Sequence, residues 1–130
     1  MKKILFAALT IVFAMCLFSF IAAEKKAWEI PPKYSAMKIQ KKGDPASIAL
    51  GKTLYQKYCK SCHGAGKGDG PKASSMKAPL GDFTTAAFKS IPDGNKYFMS
   101  FVGRDEMPNF EKKIVDEEER WAIINYMNSL

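Results

Sequence analysis

From position 44 onward, apolar side chains recur at three- and four-residue steps and never alternate with period two. Asp44-Pro45 offers an N-cap acceptor followed by a proline suited to the first helical position. Ile48, Gly51, Leu54, Tyr55 and Tyr58 then form one stripe, which predicts a helix over 45–59. Asp82 can cap a short helix over 84–89. Pro92-Asp93-Gly94 restarts the chain, and Tyr97, Phe98, Phe101 and Val102 mark a helix ending near Gly103. Asp116, with Glu119 three residues on, caps a last helix whose apolar face is Trp121, Ile123, Ile124, Tyr126 and Met127. Gly64, Gly66, Gly68 and Gly70 alternate ahead of Pro71, a turn-rich pattern, and Met107-Pro108-Asn109 reads as a second loop. The chain is therefore all-α with long loops. The irregular stretch over 64–82 is longer than a compact domain tolerates unless something else orders it. A domain of about 100 residues also buries under roughly two-thirds of its unfolded surface. A large internal ligand would answer both problems.

The N-terminus follows different rules. Lys2 and Lys3 precede an uncharged run over 4–23 that ends in Ile21-Ala22-Ala23, the pattern of a secretory signal peptide. The run is also long enough to span a bilayer, so retention over 1–23 as a membrane anchor is the alternative. Cys16 follows bulky Met15, where a lipid-attachment motif wants a small residue, and reads as an apolar member of this segment. Either outcome places the rest of the chain in the periplasm or otherwise outside the cytoplasm. Residues 24–43 form a leader in which Pro31-Pro32 favours an extended path and Trp28 and Ile30 could dock on the domain at 44–130.

Composition narrows the chemistry. The 130 residues carry a net charge of +7, 47% hydrophobic and 25% charged side chains, an ordinary globular balance. Three cysteines exclude a disulfide scaffold, and a single histidine excludes two-His zinc motifs and bis-His haem. That histidine closes Cys59-Lys60-Ser61-Cys62-His63, the C-x-x-C-H pattern of covalent c-type haem attachment. Two thiols at this spacing reach two vinyl groups of one macrocycle, and the adjacent imidazole lies beneath the iron as an axial ligand. A redox disulfide would want a βαβ context, and a zinc site would need further ligands; neither is present. Gly51-Lys52-Thr53 lacks the upstream glycine of a phosphate-binding loop, and the alternating glycines do not follow a strand.

With no second histidine, the other axial ligand is sought among methionines. Met127 and Met99 lie on helices, and Met37 lies in the leader. Met107 sits on a loop stiffened by Pro108, which also pushes its backbone towards extension. Met107 is the first choice. Met76, in a polar loop, or no ligand at all are the alternatives.

Gly51-Lys52-x-Leu54-Tyr55, Cys59-x-x-Cys62-His63-Gly64, Gly68-Asp69-Gly70-Pro71, Met107-Pro108 and Arg120-Trp121 with Tyr126 together resemble a mono-haem class I cytochrome c. The similarity is greatest to bacterial periplasmic members and to the c-type domains of cytochrome oxidases, and it covers about 46–130. It implies four to five short helices wrapped around one haem c, held by Cys59 and Cys62, with His63 and Met107 as axial ligands. It implies that the Pro71 carbonyl accepts a hydrogen bond from the axial histidine, orienting the ring. It also implies a crossing of the first and last helices, Gly51 and Tyr55 against Ile123 and Tyr126. The leader has no counterpart in the family pattern.

The expected function is one-electron transfer in an extracytoplasmic respiratory chain, without enzymatic activity. The alternatives are a haem enzyme or gas sensor with an open sixth iron site, and a tethered cytochrome subunit of a membrane respiratory complex. Residues 38–96 carry 11 Lys against four acids, whereas 97–130 carry seven acids against four bases. The basic span holds the C-x-x-C-H motif, which predicts a redox partner protein with an acidic docking face and no role for nucleic acid.

Overall fold

A computed structural model describes residues 27–130. The expected signal peptide or anchor over 1–23, Cys16, and membrane association through 4–23 lie outside the described residues. Within them no helix is long and apolar enough to cross a membrane.

Six short α-helices and no β-strand make up the described chain. They are α1 (Pro32–Ser35), α2 (Pro45–Tyr58), α3 (Lys60–His63), α4 (Ala86–Lys89), α5 (Asp93–Tyr97) and α6 (Glu117–Ser129), with a 3₁₀ turn at Ala73–Ser75 and a π turn at Phe98–Val102. The all-α reading of the sequence holds, with six helices among the described residues where the resemblance implies four to five.

The two long helices start where the sequence places them. Asp44 accepts from the Ser47 N–H at 2.8 Å with Pro45 at the first helical position. Asp116 accepts from the Glu118 N–H at 2.8 Å. They cross at Gly51, where an added Cβ would run into the Ala122 carbonyl, so only glycine allows this approach. Beside the crossing, Tyr55 and Tyr126 lie with ring centroids 5.2 Å apart. Ile123 and Ile124 are fully buried, and Leu54, Tyr97, Phe101, Ile114 and Met127 complete the core around them.

Three local expectations are corrected. Asp82 does not cap α4. It accepts from the N–H and hydroxyl of Thr84, and Thr85 caps the helix by accepting from the Phe88 N–H at 3.2 Å. Thr85 lies nearer the first helical turn, so Asp82 closes a local Asx turn instead. Pro31-Pro32 does not keep the leader extended: Pro32 begins α1, because a proline at the first helical position loses no hydrogen bond. The helix expected to run to Gly103 ends as α at Tyr97 and continues as the π turn, with Gly103 leaving at φ +70°.

The leader is docked. Tyr34 packs on Phe98 and Tyr97, with centroids 4.9 and 6.2 Å away. Gly94 lies so close beneath it that a Cβ would meet the Tyr34 carbonyl. Buried Asn125 donates to the Lys41 carbonyl at 2.7 Å and accepts from the Gly43 N–H at 2.8 Å, clipping the end of the leader to α6.

Candidate haem site

The C-x-x-C-H motif spans a break between two helices. Cys59 ends α2, donating its N–H to Tyr55, and its carbonyl accepts the N–H groups of Cys62 and His63. One turn, α3, thus carries both Cys62 and His63, and Cys59 stands at its start. Both thiols are free and half-buried, while His63 is buried.

The loop after the motif folds back onto it. Gly66 and Gly68 donate to the His63 carbonyl at 2.9 and 3.1 Å, Gly70 to Cys62 at 3.1 Å and Lys72 to Ser61 at 2.9 Å. The carbonyls left over at the end of α3 are satisfied by the glycine-rich segment itself. Gly70 must be glycine, because a Cβ there would sit 2.6 Å from the Cys62 carbonyl. Pro71 lies between the last two donors, fixed at the back of the motif.

His63 stacks on Phe83, centroids 4.9 Å apart, and Phe83 leans on Phe88 at 4.7 Å. Phe83 donates its N–H to the Gly66 carbonyl, which fastens the far end of the loop. Burial lowers the His63 pKa, opposed by the Leu80 carbonyl, so the imidazole is neutral and able to ligate iron. Its Nδ1 is buried without a hydrogen-bond partner. Burial, helped by nearby Cys62, pushes the Cys59 thiol up to about 12, which makes it a poor thiolate and argues against disulfide exchange. A buried neutral imidazole, two free thiols on the same turn and a loop cradled against them fit a covalently held haem.

Met107 is half-buried on a tight turn, donating its N–H to the Arg104 carbonyl at 2.9 Å. The turn is tied to the 76–80 segment by Glu106, whose carboxylate accepts from the N–H groups of Lys77 and Ala78 at 2.8 and 3.0 Å. One carboxylate therefore links the stretch bearing Leu80, beside His63, to the stretch bearing Met107. Met76 is also half-buried and adjoins the same link. Sequence reasoning missed Glu106, Phe83 and Leu80. An isolated glutamate in a loop carries no spacing signal, and Phe83 was legible only as an aromatic where a loop has no local need of one.

None of the curated proteins compared with the chain matches it. The family described as cytochrome C oxidase, cbb3-type, subunit III, matches residues 46–127. The matched span takes in α2, the C-x-x-C-H turn, the Met107 turn and nearly all of α6, and the family's domain binds a covalent c-type haem with a motif that Cys59 and Cys62 fit. The chain belongs to this family, and its domain is a mono-haem class I cytochrome c that serves electron transfer.

Proposed function

We propose that Cys59 and Cys62 form the two thioethers, that His63 is the proximal ligand and that Met107 is the distal one. The observation that carries the reading is the C-x-x-C-H turn itself: two free thiols with the chain's only histidine buried beside them. The bound haem supplies a one-electron couple, and with both axial positions filled by the protein no open site is left for a substrate. The protein is then a carrier and not an enzyme. Its residues orient the imidazole, exclude water from the proximal side and hold a thioether on the other. His63 Nδ1 is buried without a partner, and the family pattern points to the Pro71 carbonyl as the acceptor that would orient the ring through it. The uncharged run over 4–23 supports export to the periplasm, by a cleaved signal or as an anchor, and service in a respiratory chain.

Replacing the distal ligand tests this. Met107→Ala is expected to lower the reduction potential and open the ferrous iron to carbon monoxide, while Met76→Ala does neither. The reverse pattern would move the ligand to Met76. Carbon monoxide binding by the unmodified protein would instead favour an open-site haem enzyme or sensor.

A further inference from the structure

The leader over 24–43 has no part in the family pattern, yet its first described residues reach the Met107 turn. Arg104 makes the connection. Its guanidinium donates to the Ala27 carbonyl at 2.8 Å and lies 3.9 Å over the Trp28 ring centre. Its own carbonyl accepts the Met107 N–H at 2.9 Å. Trp28 is backed by Phe98, edge to face at 6.2 Å and 88°, so it rests on the start of the π turn. Gly103, at φ +70°, turns so tightly that a Cβ would meet the Met107 carbonyl. Leader, arginine and methionine turn thus form one continuous contact.

We propose that Ala27 and Trp28 form a strap that holds the Met107 turn through Arg104, making Trp28 and Arg104 positioning residues for the distal ligand. This rests on the reading of Met107 as that ligand. The turn is held from outside on two sides: Glu106 binds it to Lys77 and Ala78, and Arg104 binds it to the leader. A long arginine side chain is held in one geometry only when its planar face and its donors are both engaged. Removing Trp28 takes away the flat face on which the guanidinium lies, so Arg104 is held less firmly over Ala27 and the turn is loosened on that side. The methionine then spends more time off the iron, and an added ligand competes better for the vacated position.

The test uses the full-length holoprotein, with imidazole titrated into the ferric form and followed optically. Trp28→Ala is expected to bind imidazole about threefold to tenfold more tightly than the parent, the range set by losing one cation–π contact and loosening one hydrogen bond. The Met–Fe(III) charge-transfer band should weaken in parallel, and Trp28→Phe should restore most of both. Ile124→Val, a core change away from the strap, should bind imidazole as the parent does. An equal gain in Ile124→Val would show general loosening and overturn the strap. Met107→Ala separates the two levels of inference. If it binds imidazole no more tightly than the parent, the distal-ligand reading fails. If it binds much more tightly while Trp28→Ala matches the parent, the strap alone fails. Should Trp28→Ala give no folded holoprotein, Arg104→Lys carries the test, since it keeps the charge and loses the flat fork; parent-like affinity there overturns the proposal.

Discussion

Where α2 crosses α6, the space beside Gly51 is already filled by the backbone of Ala122. Alanine is the better helix former by up to about 1 kcal/mol, yet here its methyl must push two helices apart. Gly51→Ala is therefore expected to destabilise the protein by about 1–3 kcal/mol, read from the shift in urea midpoint. Lys96 shows the opposite economy, a charge kept inside. Its side chain is 1% exposed, donates to Asn128 at 2.7 Å and lies 3.8 Å from Asp93, which also binds Lys42 at 3.0 Å. Burial lowers its pKa, against the pull of Asp93. A lysine with a folded pKa below its unfolded value binds more protons unfolded, so stability rises as pH climbs through the folded value towards the ordinary lysine range. Denaturation of the parent and Lys96→Met at neutral and alkaline pH should show the parent gaining on the variant as pH increases.

At the scale of elements, the glycine-rich loop and the C-x-x-C-H turn need each other. The loop's N–H groups find their acceptors on α3, and α3 is a single turn, too short to be stable alone. The haem is the third member of this arrangement. Replacing both Cys59 and Cys62 with alanine is expected to leave a largely unfolded chain, seen as loss of helical circular dichroism and of a cooperative melt. The long helices were legible because their signals are local: Asp44-Pro45 and Asp116 stand next to the residues they cap. The C-x-x-C-H motif was legible for the same reason. The contacts that shape the rest of the site join distant positions, and no local pattern announces them. Trp28 finds Arg104, Glu106 finds Lys77 and Ala78, and Asn125 reaches back to Lys41 and Gly43. Lys96 misleads for another reason. A lysine reads as surface, and only the convergence of Asn128, Asp93 and the Phe88 ring makes its burial tolerable.

Across the whole molecule, charge is divided between the two parts of the chain. Lys60 and Lys67, within and just after the C-x-x-C-H motif, are exposed, as are Glu117 and Glu118 at the start of α6. A partner meeting the basic side with an acidic face would be steered by attraction that salt screens. Stopped-flow reduction with the physiological partner should slow as ionic strength rises. Lys60→Glu and Lys67→Glu should lower the second-order rate more than Lys41→Glu, whose backbone is clipped to α6 at the leader's end. A rate that holds or rises with salt would reject basic-face docking.

The crossing at Gly51 also bears on the order of events during biogenesis. Its two halves, Gly51 and Ala122, are separated by about seventy residues, and contacts so far apart in the chain form late because a large loop must close first. The C-x-x-C-H turn is synthesised well before α6 exists to cover α2. During that interval the two thiols stand on an open chain, accessible to whatever delivers the prosthetic group. Once α6 arrives, half-buried Cys59 packs against the core that Ile123, Ile124 and Met127 complete. A fold closed by its last helix thereby keeps its attachment point reachable for as long as the chain is still emerging.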